Sequence, residues 1–165
     1  MKSVLISIRP KWCELIANGK KTIEVRKTRP KLERPFKCYI YQIGGGKIIG
    51  EFVCDWCDMF RIGRPAIAEL SLGALVTPQE LYIYAGGRPY LYGWHISDLK
   101  IYDKPMSLGE FHFPPEKYCE RQLCGGCPKD QVMGLDGDYA FDCEWERPLT
   151  RPPQSWCYVE KVTDG

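Results

Sequence analysis

From Lys21 to Lys27 the chain reads Lys-Thr-Ile-Glu-Val-Arg-Lys, apolar and polar by turns. A period of two fits a β-strand and no helix. Ile23 and Val25 then share one face, and Thr22, Glu24 and Arg26 share the other. An apolar strand face has to be covered, so this strand must belong to a sheet packed on another layer. Its polar face sets Glu24 beside Arg26. That pair is either a structural ion pair or the wall of a site.

The flanking sequence places this strand in a fold. Ser3–Ile8 is apolar and β-branched, and reads as a strand. Pro10 suits the first turn of a helix, Trp12, Leu15 and Ile16 give it one apolar stripe, and Gly19 stops it. The spacing therefore predicts a short helix over Pro10–Asn18. Thr28–Pro35 is a polar loop. Phe36–Gln42 and Lys47–Cys54 read as paired strands around Gly44-Gly45-Gly46. Thr77-Pro78-Gln79-Glu80 is a capping box opening a second helix, with Leu81, Tyr84 and Ala85 as its stripe and Gly86-Gly87 as its end. Tyr90–Tyr102 reads as one long strand bent at Gly93. Residues 106–153 are rich in Pro, Gly, Cys and charge and show no period. Ser155–Val162 reads as the last strand. The expectation is one α+β domain over residues 1–165. It is a small mixed β-barrel of about six strands and two or more short helices, with an irregular Cys-rich insertion (106–153) before the last strand.

A chain of 165 residues can bury a sizeable core. With 44% hydrophobic and 27% charged residues it has the composition of a folded globular protein. No apolar run approaches the ~20 residues of a membrane helix. The apolar run near the start is too short for a secretory signal, and Arg9-Pro10 interrupts it, so a cytoplasmic protein is expected. Charge is unevenly spread. Residues 9–37 hold ten lysines and arginines against three carboxylates, a net of +7 in a chain whose total is +2. Positive potential concentrated in this way fits an anionic partner, or a basic surface with no specific task.

Nine cysteines is an odd number. Without a secretory signal they argue for metal binding or redox work rather than a disulfide scaffold. Cys124-Gly-Gly-Cys127, with Cys119 before it and Cys143 after it, has the thiolates for a closed structural zinc site, which would offset the ordering entropy of an irregular segment. A competing set joins Cys54-Asp-Trp-Cys57 to Cys124 and Cys127. It needs a turn at Asp55-Trp56, because Lys47–Phe60 otherwise reads as strand. Cys13, Cys38 and Cys157 fall in regular elements and read as small buried residues.

The order of strand, short helix and basic strand resembles the ASCH domain, a branch of the PUA-like barrels. The residues that carry the resemblance are Leu5-Ile6-Ser7-Ile8 with Arg9-Pro10, then Ala17-Asn18-Gly19-Lys20-Lys21-Thr22-Ile23-Glu24-Val25-Arg26, and later Tyr92-Gly93-Trp94-His95. The closing Arg151–Glu160 is similar to phage- and prophage-type ASCH proteins. The resemblance implies a PUA-like barrel with a cleft beside the first helix that binds RNA or a nucleotide. One branch, similar to bacterial acetylcytidine amidohydrolase, uses a lysine, a threonine nucleophile and a glutamate. Lys21 matches the lysine, and Glu24 stands where that branch has threonine. The third member has no matching position; Glu69 and Glu80 are the candidates.

The leading expectation is therefore recognition of RNA or a nucleotide in a basic cleft. Arg9, Lys20, Lys21 and Arg26 supply charge, Glu24 accepts a hydrogen bond, and Trp94 and Trp156 offer stacking surfaces. Trp12 lies on the helix stripe and reads first as core. His95, in a strand, reads as a core histidine. A second expectation is a hydrolase of a modified nucleoside or RNA with Lys21 and Glu24 as its working pair. A third is a protein-interaction module.

Overall fold

The computed structural model describes residues 3–114 and 148–162. Among them are nine strands and three α-helices. In chain order they are β1 (Ser3–Ile8), α1 (Pro10–Ala17), β2 (Ile23–Arg26), β3 (Phe36–Gln42), β4 (Lys47–Cys54), β5 (Cys57–Arg61), α2 (Ile67–Ala74), α3 (Pro78–Ala85), β6 (Tyr90–His95), β7 (Ser97–Met106), β8 (Phe111–His112) and β9 (Trp156–Lys161). None of the helices is long and apolar enough to cross a membrane.

The strands form two sheets. The larger has the order β7-β4-β3-β1-β9-β8, and the smaller the order β2-β6-β5. β1 runs parallel to β3, which obliges the chain to cross over between them, and α1 makes that crossover. β9 comes back from the far end of the sequence to pair antiparallel with β1, so Leu5 faces Cys157 in register. In the smaller sheet β2 lies antiparallel to β6, with Glu24 opposite Trp94 and Arg26 opposite Tyr92. The two sheets make a barrel-like core, as expected, with no closed ring among the described strands.

Three apolar clusters cover these sheets. Ile6, Ile8, Ile16, Phe36, Phe52 and Trp94 fill the space between α1 and the two sheets. Ile23, Val25, Phe60, Leu70 and Leu81 join the smaller sheet to α2 and α3. Leu5, Tyr39, Ile48, Phe111 and Val159 lie on the other face of the larger sheet. β1 supplies two clusters at once, which is why all six of its residues are buried.

The helix openings follow the sequence. α1 starts on Pro10, and α3 has a complete capping box, with Thr77 accepting from the Glu80 N–H and Glu80 reaching back to Thr77. Three elements are additional to the sequence reading, α2, β5 and β8. Tyr90–Tyr102 is also two strands, and the bend falls at Ile96 instead of Gly93. Gly93 lies flat within β6 because a Cβ there would come within 2.9 Å of Ile23, Leu70 and Phe60. It is the close packing of Ile23, Phe60 and, from α2, Leu70 over this position, not a bulge, that favours glycine here. The Ile96 N–H donates to the Thr22 carbonyl at 2.9 Å, which ties the bend to the start of β2.

Candidate functional site

The polar face of β2 is buried, together with the lysine that precedes it. Lys21, Glu24 and Arg26 are 3%, 6% and 7% exposed. Strand parity would set Lys21 and Glu24 on opposite faces, but β2 begins only at Ile23. Lys21 lies on the bend before the strand and turns back, so that Nζ stands 3.4 Å from Glu24 Oε2. Glu24 Oε1 takes the Arg26 guanidinium at 3.0 Å. One carboxylate thus bridges two cations.

Each cation has a further anchor. Lys21 Nζ donates to the Ala74 carbonyl at 2.9 Å, at the C-terminal end of α2, where the helix presents partial negative charge. Arg26 donates to the Ser7 carbonyl at 2.7 Å and to Ser155 Oγ at 3.2 Å. The guanidinium therefore ties β2 to β1 and to the residue preceding β9, across the two sheets. Its Nε is buried with no partner among the described residues. Burial lowers the Lys21 pKa from its ordinary value, and the adjacent Glu24 carboxylate works against that fall.

The triad lines a cleft of about 750 Å³ between α1, α3 and the segment before β9. Arg9 stands exposed on its rim, and Trp12, Lys27, Tyr84 and Ser155 complete the wall. The Trp12 ring has Lys11 Nζ at 4.6 Å and Lys21 Nζ at 5.1 Å. It packs on the core and also lines the cleft. The sequence places Tyr84 in the apolar stripe of α3. It is instead 38% exposed in the cleft, with Lys27 Nζ 5.0 Å from its ring centroid. Burial raises its pKa, as does Glu24, and Arg26 opposes them. A stripe of Leu81, Tyr84 and Ala85 does not reveal on which edge of the helix a neighbour ends; here Leu81 and Ala85 are covered and Tyr84 is not.

Other expected site residues lie elsewhere. Trp94 is fully buried, edge-on to Phe36 and Trp156 at 5.8 Å, so it offers no face to a ligand; the stacking role is corrected to a core role. Trp156 is half-buried between Trp94 and Tyr158 and donates its indole N–H to Thr28 Oγ1 at 3.0 Å. It stands next to Ser155 but outside the cleft wall. Lys20 is exposed on the turn after α1 and does not line the cleft. Glu80 lines it, but its carboxylate is held by the capping box; Glu69 lies in the first turn of α2, outside the wall. Neither completes a lysine–threonine–glutamate set. His95 is half-buried rather than enclosed, and its Nε2 lies 3.0 Å from Asp58 Oδ2.

Cys119, Cys124, Cys127 and Cys143 lie outside the described residues. A break does occur at Asp55-Trp56, between β4 and β5, and the Cys54 thiol donates to the Trp56 carbonyl at 3.2 Å. Burial pushes the Cys54 thiol up to about 12 and that of Cys57 to about 11. These are protonated thiols in an apolar core, and no metal-ligating group of three or more side chains occurs among the described residues. Cys13 and Cys38 are buried and Cys157 is half-buried, all with thiol pKa values raised by burial.

The ASCH domain family model matches residues 6–60, which include all of the triad. No curated protein sequence matches the chain. Among solved structures the chain is similar to the ASCH protein of Zymomonas mobilis, with a TM-score of 0.63 at 18% identity over 96% of this chain and 88% of that one. A serine-to-alanine variant of that protein gives the same score, with 89% of its chain covered. A tyrosine-to-phenylalanine variant gives a TM-score of 0.58 at 20% identity over 66% of this chain and 77% of its own. Residues 6–60 thus match the ASCH domain, in a chain that has the fold of solved ASCH proteins.

Proposed function

We propose that the cleft binds a nucleotide, either free or as one unpaired nucleotide of RNA, as in a PUA-like RNA-binding domain. The observation that carries this is the wall itself. Four cations, Arg9, Lys21, Arg26 and Lys27, stand there with two carboxylates, Glu24 already paired with Lys21 and Arg26 and Glu80 held by the capping box, which leaves positive charge in excess. Trp12 and Tyr84 add aromatic surface beside them. A phosphate finds excess positive charge there, and a base finds a ring to lie against. Glu24 holds the two buried cations apart and in place. Its remaining acceptor capacity suits a base N–H.

Titration of a labelled RNA oligonucleotide at several salt concentrations tests this reading. Lys21→Met keeps the side-chain length and leaves the Glu24–Arg26 pair intact. It is expected to weaken binding about tenfold and to flatten the salt dependence by the share of one cation. Unchanged affinity and slope would end the proposal.

The lowered pKa of Lys21 favours a second reading. A desolvated lysine beside a carboxylate can pass a proton, as hydrolysis of an acylated nucleoside or of RNA requires. In that case Glu24→Gln loses turnover while the folded variant still binds; turnover that survives the change rules out Glu24 as the acid–base partner. Spacing alone supports zinc at Cys119, Cys124, Cys127 and Cys143, and the metal content of the purified protein decides it. The phage-type resemblance of residues 151–160 adds nothing to the site.

A further inference from the structure

A second groove begins where the cleft ends. Lys27 and Thr28 line both. From there the loop between β2 and β3 forms one side of a trough of about 1100 Å³, and the break between β4 and β5 forms the other. Its charged lining is Lys27, Arg29, Lys31, Arg34 and Arg88, against Glu33 and Asp55. None of these is a site residue in the sequence reading, although all but Asp55 and Arg88 lie within the basic run of residues 9–37.

The loop is held in place. Pro30 is buried, Leu32 packs on the central core, and the Lys31 N–H donates to the Tyr158 hydroxyl at 2.8 Å. Anchored at these three consecutive residues, it keeps Arg29 and Arg34 turned to the groove without a large ordering cost on binding. Two aromatic rings lie under those arginines. Trp56 is 53% exposed, with the Arg34 guanidinium carbon 4.5 Å from its ring centroid. Tyr92 has the Arg29 guanidinium carbon at 5.8 Å. The Trp56 indole N–H donates to Asp58, which fixes the ring.

Spaced cations alone would take any polyanion. Aromatic rings beside guanidinium groups, here the exposed Trp56 and the half-buried Tyr92, are suited to unpaired bases, whose faces stack on them whatever the sequence. A smooth duplex has no free base faces to offer, and an acidic peptide gains little from Trp56. We propose that this groove is a track for single-stranded nucleic acid, carrying the nucleotides that flank the one held in the cleft. The proposal rests on the cleft reading for its direction of entry, but not for its own binding.

The test uses the whole chain and four probes. These are labelled oligouridylate and oligothymidylate of about eight nucleotides, uridine monophosphate, and an oligoglutamate peptide of matching charge. The double variant Arg34→Ser/Trp56→Ala changes two exposed side chains. It is expected to weaken oligonucleotide binding about tenfold or more, to lower the logarithmic salt slope by about 0.7 for the lost cation, and to leave uridine monophosphate affinity unchanged. Loss for either oligonucleotide supports the track, and a stronger loss for the ribose chain identifies RNA. Oligonucleotide affinity unchanged in the double variant overturns the proposal. So does oligoglutamate binding as tightly as the oligonucleotides whether or not Trp56 is present. If uridine monophosphate does not bind at all while the oligonucleotides still depend on Arg34 and Trp56, the cleft reading fails and the track stands. If Lys21→Met abolishes oligonucleotide binding and the groove variant does not, the cleft stands and the track fails.

Discussion

Glu24→Ala is expected to lower stability by about 3–5 kcal/mol, among the largest effects of any single substitution in this chain. Glu24 is 6% exposed and is the carboxylate that bridges Lys21 at 3.4 Å and Arg26 at 3.0 Å. Removing it leaves two cations enclosed with only carbonyl and hydroxyl oxygens around them. The two cations then respond differently to pH. An arginine guanidinium does not give up its proton in proteins. Lys21 can lose its proton, and burial already holds its pKa below the ordinary 10.5. Without Glu24 the influence that keeps that pKa up is gone, so it falls further. A lysine whose folded pKa lies below its unfolded value destabilises the fold at low pH. The penalty is relieved as pH rises from the folded value toward 10.5. The deficit of Glu24→Ala relative to the native chain is therefore expected to narrow as pH rises toward that value. Urea denaturation at several alkaline pH values measures it. A deficit below about 1 kcal/mol, or one that widens with pH, would show that the triad is solvated rather than buried.

Trp94→Ala is expected to cost a similar ~3–5 kcal/mol, for a different reason. Its ring is fully buried, edge-on to Phe36 and Trp156, and in register with Glu24 on one side and Cys57 on the other. The cavity left by an indole in this position has rigid strands on two sides and cannot collapse. Trp94→Phe keeps part of the ring and removes the indole N–H, which is buried without a partner among the described residues. It is expected to cost about 1–2 kcal/mol, because the lost packing is partly offset by the removed orphan donor. Nucleotide affinity of the folded Trp94→Phe protein is expected to match the native chain. Loss of affinity at retained stability would restore the stacking role that its burial denies.

Both predictions show what a one-dimensional pattern can and cannot carry. Period two over Lys21–Lys27 identified β2 and its apolar pair, because Ile23 and Val25 need only a covered face. It could not show that the opposite face is covered as well, where Arg26 reaches the Ser7 carbonyl of β1, or that the preceding Lys21 reaches the Ala74 carbonyl at the end of α2. Those partners are 19 and 53 residues away in sequence. The capping box of α3 was legible since it is a local hydrogen-bonding device spanning four residues. α2 has no side-chain cap and contains Gly73, and it ends on Leu75 in a left-handed conformation, so its sequence resembles a turn. Gly73 is there for packing: a Cβ would come within 2.5 Å of Ile23. The break that separates Cys54 from Cys57 was legible only as a condition for a metal site, yet what it does is present Trp56 to the second groove. In the same way Tyr84 and Trp94 changed places. Residue type marks both as candidates for core or for stacking, and only the tertiary packing assigns each to one.

The central claim is that the buried Lys21–Glu24–Arg26 set is the floor of a nucleotide-binding cleft. Nuclear magnetic resonance mapping of uridine monophosphate on the isotope-labelled chain tests it most directly. The account predicts saturable shifts at Arg9, Trp12, Lys21, Lys27, Tyr84 and Ser155. Shifts that saturate elsewhere, or no saturable binding, would contradict it.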